Sequence, residues 1–395
     1  MNINIKAILL GCVLMPLAMT SCGKSDTVTV TVSNQTETDF GDRTVELPAG
    51  EILSRLGTKG FYITNEAGEE IPAQLTHDSL IIFTANVPRE ERRKFEIHPS
   101  DSIHTYPITV WGDFYPRRHD DIAFENELIG FRVYGPGTQN RGEKAYGYDL
   151  FFKHPTDDII VPELYAAETD DAIWAKVDSL RKIDPKLADR FIETFSYHID
   201  HGKGMDCYAV GPTLGAGAPA LIADGAISFP WCYETAEILD NGPLRYTMQL
   251  NFAPRMIGGS PDVKEHRIIS LDSKSHLNNS KVWYDGLLES SVIAAGFPLR
   301  DESDVISNQA KGFIAYADPT QGPDNGKALI GVVFPEGTDT ILSQENHVLL
   351  TKAFSPTDTL SYRWGFAWDR ADISTLTDWQ NYLDNQSLGY SVTIE

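Results

Sequence analysis

Short segments in which apolar and polar residues alternate run through the chain, and this period of two is typical of β-strands with one buried face. The clearest is residues 27–32, TVTVTV, where β-branched valine and threonine alternate strictly. Further strand-like runs, separated by turn-forming residues, lie at 60–64, 80–83 and 95–97. We therefore predict a small β-sandwich over residues 27–105, which ends in the polar stretch 99–105.

The rest of the chain predicts a second and larger β structure. Apolar runs, most of them separated by glycine or proline, give strand candidates at 127–134, 220–223, 246–252, 266–271, 287–294, 312–316, 328–334, 348–353 and 360–367. This number and spacing of strands favours a large antiparallel β-sandwich over residues 106–395. Helical periodicity interrupts it at 170–183 and 374–383, and Asp184-Pro185 is typical of a further helix start.

Composition agrees with a well-packed protein. Of 395 residues, 42 % are apolar and 10 % aromatic, which suffices for a sizeable core and is too much for a disordered chain. The length fits two domains. The formal net charge of −23 argues against non-specific binding to nucleic acid or to an anionic membrane surface.

The N-terminus predicts export and a lipid anchor. Lys6 precedes the apolar run 7–19, which is too short to span a bilayer, and small residues then lead to Cys22. We predict a signal peptide over residues 1–21, acylation of Cys22 and a polar tether over 22–26, hence a lipid-anchored outer-membrane protein on the periplasmic or the cell-surface face. The alternative is a soluble periplasmic protein with an ordinary cleavage site.

Two cysteines remain in the mature chain, Cys207 and Cys232, 25 residues apart. An exported protein can oxidise such a pair to a disulfide, and two buried thiols explain the residues equally well. A zinc site built from two cysteines at this spacing is not expected.

Polar residues concentrate first between residues 117 and 126. Arg117, Arg118 and His119 stand here, together with Glu125 at the start of a strand that contains Arg132. Arginine can clamp a carboxylate, and histidine or glutamate can move a proton, so we predict a substrate-facing edge. The alternative is a solvated loop whose arginines and aspartates neutralise each other.

A second polar cluster follows Tyr197. His198, Asp200, His201 and Asp206 lie within nine positions, in a segment with two glycines that is typical of a tight turn. These residues suit a general base, or alternatively a divalent cation held by His198, Asp200 and His201. A structural turn whose histidines bond backbone carbonyls would explain the same pattern. We expect no cofactor, with the divalent cation left open.

Aromatic residues indicate sugar as a ligand. Trp231, Trp364 and Trp368 are candidates to stack on sugar rings, although burial in a sandwich core would explain each of them without a ligand. The sequence contains no nucleophile elbow, phosphate loop, zincin motif or dinucleotide fingerprint. Hydride transfer, phosphoryl transfer and zincin proteolysis are therefore excluded.

Three segments carry a resemblance to a known family: 117–135, 197–217 and 362–368. Over nearly the whole mature chain the sequence resembles the domain-of-unknown-function 4861 family of Bacteroidota lipoproteins. This resemblance implies a place in polysaccharide utilisation, often beside enzymes that act on uronic-acid glycans. The strand 125–132 is also similar to the opening strand of galactose-mutarotase-like supersandwiches, which implies that fold for the larger domain.

We expect a carbohydrate-active enzyme, first of all a lyase that cleaves uronic-acid oligosaccharides by β-elimination. That reaction needs a cation, a base and an acid. Arg117, Arg118 or Arg132 would supply the cation. His198 or His201 would be the base, and Tyr197 the acid. A hydrolase would instead use a carboxylate pair, Glu125 and Asp206. The same sequence would also suit a non-catalytic glycan-binding lipoprotein or a structural partner of an outer-membrane complex.

Overall fold

The computed structural model describes residues 27–301 and 305–395, with 44 % strand and 16 % helix. The mostly β fold and its antiparallel sheets, predicted from the alternating pattern, are confirmed. The predicted signal peptide, the acylated Cys22 and the tether lie outside the described residues. Within the described ranges, no helix has both the length and the apolar character needed to cross a membrane.

The elements are numbered along the chain. The N-terminal part contains β1 (Val28–Ser33), β2 (Asp42–Pro48), α1 (Ala49–Leu56), β3 (Gly60–Thr64), β4 (Glu70–Ile71), β5 (Ala73–Leu75), β6 (Leu80–Asn86) and β7 (Arg92–Ser100). The middle part contains β8 (Trp111–Tyr115), β9 (Asp121–Glu125), β10 (Gly130–Val133), α2 (Pro136–Asn140), β11 (Tyr148–Lys153), α3 (Val161–Glu168), α4 (Asp171–Ile183), α5 (Pro185–Glu193) and β12 (Gly204–Met205).

The C-terminal half is almost entirely strand. It contains β13 (Pro219–Ala223), β14 (Ala226–Ser228), β15 (Thr235–Asn241), β16 (Arg245–Asn251), β17 (Arg255–Ile257), β18 (Ser260–Asp272), β19 (Leu277–Asp285), β20 (Ser291–Pro298), β21 (Val305–Asn308), β22 (Phe313–Pro319), β23 (Lys327–Val333), β24 (Thr340–Gln344), β25 (His347–Phe354), β26 (Leu360–Trp368), α6 (Leu376–Asp384) and β27 (Ser391–Ile394). Single 3₁₀ turns lie at Pro116–Arg118 and Asn385–Ser387.

The N-terminal strands form a small sandwich of two antiparallel sheets, β27-β1-β7-β3-β4 and β2-β6-β5. Strand β1 shows how alternation builds it: Val28, Val30 and Val32 are fully buried between the sheets while the threonines face outward. Helix α1 closes one end and terminates at Gly57, whose φ of 65° is the left-handed conformation that glycine adopts without strain.

The last strand of the described chain belongs to this N-terminal sandwich. Strand β27 pairs antiparallel with β1, and Ile394 lies opposite Val30. The small sandwich is therefore built from residues 28–100 and 391–394, while the division at residue 105 stays a prediction.

Three further sheets share one large core: β8 to β12 in chain order, β14-β13-β20-β25-β24, and the long sheet β15-β16-β18-β19-β26-β23-β22-β21 with β17 attached to β18. Strand β26 runs through the centre, where Trp364 and Trp368 are buried. Trp364 stacks on Tyr148 with ring centroids 3.8 Å apart. The antiparallel pairing agrees with the predicted large sandwich.

Helices α3 to α5 form an insertion that covers the outer face of the sheet β8–β12. Val161 and Tyr165 of α3 pack with Tyr197 against Ala123 and Phe151 of that sheet. The predicted helix at 170–183 is α4, which begins after Asp170, whose side chain accepts hydrogen bonds from two backbone N–H groups of the first turn. The insertion thus creates a buried space on a sheet face that would otherwise be exposed.

The small sandwich packs against the outer face of the long sheet. The Gln74 side chain bonds the backbone of Arg245, and Arg245 forms an ion pair with Glu46. His77 lies 2.7 Å from Asp240 across the same interface. These contacts leave a cleft of about 560 Å³ between the two parts.

Candidate active site

Buried polar side chains lie on the outer face of the sheet β8–β12, beneath the helical insertion. The strand register places Arg132 of β10 opposite Asp149 of β11. Tyr134 lies on the same face as Arg132 because strand side chains alternate. The segment after α5 returns along this face and adds Asp206. The two polar clusters of the sequence, 117–126 and 197–208, therefore meet here.

Arg132 is the centre of this cluster, and we call it with its four polar partners the Arg132 cluster. Its Nε donates to Asp149 Oδ2 at 2.8 Å, and its Nη2 donates to the same oxygen and to the Tyr134 hydroxyl. Asp206 Oδ2 lies 3.3 Å from Nη2, and Asp121 Oδ2 lies 3.8 Å from Nη1. Burial disfavours the charge, yet the carboxylates hold the pKa of Arg132 well above its usual value.

Asp206 is the most perturbed carboxyl group of the cluster. Only 2 % of Asp206 is exposed, and neither carboxyl oxygen forms a hydrogen bond with a described group. Burial, followed by the charge of Asp149, raises the pKa of Asp206 to about 7, although Arg132 opposes the rise. A carboxyl group that titrates near neutrality can both donate and accept a proton at physiological pH.

Asp121 lies beside the other terminal nitrogen of Arg132. It is buried, and its Oδ1 forms no hydrogen bond with a described group. Burial raises the pKa of Asp121 to about 6, and Arg132 and Arg118 oppose this rise because they favour the ionised form. Two carboxyl groups with different pKa values therefore flank one guanidinium group.

Arg118 closes the cluster on the side of the insertion. Its guanidinium lies 5.1 Å from the ring centroids of both Tyr165 and Tyr197, a cation–π arrangement. It donates to the Tyr197 hydroxyl at 2.6 Å and to Glu168 at 3.0 Å. Tyr197 is buried, and burial raises the pKa of its hydroxyl, although Arg132 and Arg118 oppose this rise.

The loop that carries Arg118 is held in a strained conformation. His119 and Asp120 both have positive φ, 63° and 62°, which residues other than glycine rarely adopt. Gly135 packs so closely on this loop that a Cβ there would lie 1.8 Å from the Asp120 carbonyl oxygen. His119 contacts Arg141, and burial and that cation lower the pKa of His119.

The turn after Tyr197 is held together by the side chain of Asp200. The Asp200 carboxylate accepts from the backbone N–H groups of Gly202 and Gly204 and lies 2.8 Å from His154 Nε2. His201 is exposed on this turn. His198 is also exposed, but its Nδ1 lies 2.8 Å from the Asp206 carbonyl oxygen and its ring packs on Tyr197.

These positions do not form a metal centre. Within residues 27–301 and 305–395, no group of three or more histidine, cysteine, aspartate or glutamate residues has the geometry to hold a metal ion. The suggested ligands His198, Asp200 and His201 are therefore not assembled as a site. Cys207 and Cys232 are free thiols and not a disulfide.

Glu125 has a structural environment. It is fully buried, and its carboxylate accepts from Lys153 Nζ at 2.8 Å and from the backbone N–H groups of Ile160 and Val161 at the start of α3. These bonds anchor the start of α3, and with it the insertion, to the sheet. Both carboxylate oxygens of Glu125 are therefore engaged by groups other than Asp206, the partner suggested for it.

The remaining candidates divide between surface and core. Arg117 is exposed and pairs with Asp171 at 2.5 Å. Trp364 and Trp368 are core residues, because the alternation along β26 directs them inward, so they are not available to stack on a sugar. Trp231 is 61 % exposed and lies with Tyr134 around a small pocket next to the cluster.

Asp121, Tyr134 and Asp149 belong to this site, but no catalytic or binding role is predicted for them from the sequence. The period of two on β10 could have linked Tyr134 to Arg132. The position of Asp149 opposite Arg132 depends on the strand register, which no local pattern encodes. Asp121 stands in the first polar cluster but resembles an ordinary loop carboxylate until its burial is known.

The fold and this site define a β-sandwich protein with a buried acid–base cluster under a helical insertion. The chain belongs to the family described as "Domain of unknown function (DUF4861)", whose model matches residues 32–392. A relative, "Uncharacterized protein P7" from Formosa agariphila, is 25 % identical over 406 residues and covers 95 % of each chain. The resemblance predicted from three segments is thus confirmed.

Two solved structures from Enterococcus faecalis are similar in fold. One is an α-mannosidase with a TM-score of 0.49 and 9 % identity, covering 95 % of this chain and 47 % of that one. The other is a protein in glycosyl hydrolase family 38, with a TM-score of 0.50 and 7 % identity. The match covers 95 % of this chain and 48 % of that one. This chain thus spans about half the length of these structures. At such identity the second likeness shows the fold alone.

Proposed function

We propose that this protein is a carbohydrate-active enzyme that hydrolyses a glycosidic bond, with Asp206 as the proton donor. The observation that carries the proposal is the buried carboxyl of Asp206, which lies 3.3 Å from Arg132 Nη2 and whose pKa of about 7 keeps it partly protonated at neutral pH. A fold shared with a protein of glycosyl hydrolase family 38 supports a carbohydrate substrate. Uronic acid as the sugar and the lipid anchor at Cys22 remain proposals from the sequence.

Asp121 is the partner we propose for Asp206. The two carboxyl groups lie on the two terminal nitrogens of Arg132, so they are within about 10 Å of each other, and glycosidase carboxyl pairs work at roughly 5–9.5 Å. Asp206, with the higher pKa, protonates the leaving oxygen as the C–O bond breaks. Asp121, ionised, accepts a proton from the water molecule whose oxygen attacks the sugar carbon, so that one water is added across the broken bond.

Charge also favours hydrolysis over elimination. Arg132 is neutralised by its carboxylate neighbours and Arg118 is paired with Glu168, so neither is free to neutralise a uronate carboxylate. Because both arginines are already paired, a neutral sugar unit suits the Arg132 cluster better than a uronate does. We expect substrate to enter beside Tyr134, which is partly exposed and borders the pocket below Trp231.

Elimination is the second candidate, and one observation favours it. The Tyr197 hydroxyl, bonded to Arg118 at 2.6 Å, lies next to His198, whose exposed ring packs on the Tyr197 ring. A histidine base and a tyrosine acid side by side are the groups that proton abstraction and protonation of a leaving oxygen require.

The test uses the soluble chain from residue 24 with panels of neutral and uronic-acid oligosaccharides, followed by chromatography of the products. Absorbance at about 230–235 nm is recorded in parallel, because proton abstraction at C5 leaves an unsaturated uronate. Hydrolysis predicts new products without this absorbance. Products with the absorbance would support elimination, and the absence of any cleavage would contradict both enzyme proposals.

Variants identify the residue that transfers the proton. We expect Asp206→Asn to reduce turnover about 10²–10⁴-fold while the protein stays folded. Asp318→Asn is the matched control, since Asp318 is also buried with a pKa raised by burial to about 6, but pairs with Arg300. Equal turnover in the two variants would contradict the role of Asp206.

A further inference from the structure

The cleft between the small sandwich and the long sheet is lined largely by polar groups. Its floor is the outer face of β18, β19 and β26, which presents Ser270, Asn279 and Ser361. Strand β2 and the segment that follows α6 form its walls. Its volume of about 560 Å³ lies within the range typical of ligand sites, about 300–1,000 Å³.

An arginine from one wall and an arginine from the floor converge in this cleft. Arg43 of β2 donates to Gln386 Oε1 at 3.0 Å, and Arg363 of β26 donates to the same oxygen at 3.1 Å. Arg43 also reaches the Asn385 carbonyl oxygen at 3.3 Å, and Arg363 the Gln386 carbonyl oxygen at 2.9 Å. Within the described ranges, neither guanidinium forms an ion pair with a carboxylate. We call these two residues the arginine pair.

Two of the carboxylates that line the cleft already pair with another arginine. Glu46 and Asp272 line the same cleft, but both pair with Arg245, at 2.6 and 2.5 Å. Burial and the like charge of Arg43 lower the pKa of Arg363. Two cations that share one neutral amide therefore have no direct ion-pair partner among the described residues, although the charges of Asp272 and Glu46 favour the charged form of Arg363 from a distance. An anion placed between the two guanidinium groups would make the direct pairing that they lack.

Neighbouring side chains extend this site along β19. Lys281 lines the cleft and, among the described residues, has no ion-pair partner. Trp283 lies two residues further on the same face, where its ring stacks on His266 with centroids 5.1 Å apart. A cation and an aromatic face in line with the polar floor suit a ligand with both acidic groups and sugar-like rings.

We propose that the cleft binds an anionic, polyhydroxylated ligand, such as an acidic oligosaccharide, whose carboxylate or sulfate lies between Arg43 and Arg363. Each guanidinium offers a planar fork of donors that matches an oxyanion. The serine and asparagine side chains of the floor bond the hydroxyl groups. This site is distinct from the Arg132 cluster and does not depend on its chemistry.

Titration calorimetry on the soluble chain from residue 24 tests the proposal with three probes: tetragalacturonate, a sulfated chondroitin disaccharide and neutral cellotetraose. We expect at least one acidic probe to bind and cellotetraose not to bind. The acidic probe that binds identifies the anion as carboxylate or sulfate. Absence of binding by both acidic probes would overturn the proposal.

Variants locate the binding. Arg43→Gln and Arg363→Gln should each weaken binding of the acidic probe at least tenfold. Arg363→Lys keeps the charge but loses the planar fork of donors, so it should weaken binding less. Arg92→Gln, at an exposed position of the same small sandwich, should leave the affinity for the acidic probe unchanged. Thermal melting of every variant confirms that it is folded. Wild-type affinity in both glutamine variants would overturn the proposal.

Discussion

The Arg132 cluster and the arginine pair of the cleft balance charge in opposite ways. Arg132 is enclosed by three carboxylates, more negative charge than it can neutralise, and the excess appears as raised pKa values of Asp206 and Asp121. The arginine pair has only a neutral amide between its two guanidinium groups. Buried charge must be compensated. Carboxyl groups of the Arg132 cluster therefore keep their protons to a higher pH than usual, whereas the arginine pair is suited to bind an external anion.

The two regions also differ in what builds them. The Arg132 cluster depends on strand register and on a helical insertion that covers it, so its geometry belongs to the buried layer between the sheet β8–β12 and that insertion. The cleft is assembled by two separate parts of the fold and by the segment after α6. Loss of a central residue should therefore unfold the first region and only weaken binding in the second.

The largest effect on stability should come from Arg132→Met. This change leaves Asp121, Asp149 and Asp206 buried without their cation, and breaking a buried ion pair on one side costs about 3–5 kcal/mol. Urea unfolding measures the loss of unfolding free energy. A loss below about 1 kcal/mol would show that the cluster is hydrated rather than enclosed.

A pH-dependent stability should distinguish Asp206. Its pKa of about 7 in the folded chain exceeds the unfolded value of about 4, so the native state holds a proton that the unfolded chain releases between these values. Stability from this group is complete below pH 4 and is lost as pH rises through 7. Asp206→Asn should therefore gain stability relative to wild type between pH 4 and pH 8, on the order of 2–4 kcal/mol.

The control for that comparison is Asp318→Asn, which should gain in the same direction but less, since the pKa of Asp318 is about 6. Unfolding curves at the two pH values give both differences. If the unfolding free energies of wild type and Asp206→Asn changed with pH in the same way, that result would contradict the raised pKa of Asp206.

A smaller effect is expected at the cleft. Arg363→Gln removes one of two like charges together with hydrogen bonds to Gln386, and these contributions oppose each other. We expect an unfolding free energy within about 1 kcal/mol of wild type at moderate salt. A loss as large as that of Arg132→Met would mean that the arginine pair holds the two parts of the fold together.

The smallest effect should be that of His201→Ala. His201 is exposed on a turn that is held by Asp200, so hydrolysis should proceed within about twofold of the wild-type rate. Turnover on the best oligosaccharide of the panel measures it. Complete loss of turnover in a folded variant would favour elimination with a histidine base.

Much of the fold could be predicted because strand alternation is a local signal. The TVTVTV segment predicted β1, and the apolar runs of the C-terminal half predicted the central strands of the large core. Strand β27 could not be predicted in this way, since it is short, mostly exposed and paired with a strand more than 300 residues away. Its place depends on a partner that no local pattern specifies.

The site was predictable only in part for the same reason. Arg132 and Asp206 could be singled out as residue types, but their contact depends on sheet register and on the return of the chain after α5. Spacing does not show that Glu125 is bonded by the first N–H groups of α3. The alternation along β26, by contrast, already indicates that Trp364 and Trp368 share a buried face.

The proposed role of Asp206 as proton donor rests on its protonation state, which can be measured by titrating this carboxyl group. Carbon-13 NMR of a chain labelled at the aspartate carboxyl carbons, compared with the same spectra of Asp206→Asn, assigns the Asp206 signal. We predict a midpoint near pH 7, which burial beside Asp149 produces. A midpoint near the ordinary value of about 4 would contradict this role, because the carboxyl would then be ionised at neutral pH and unable to donate a proton.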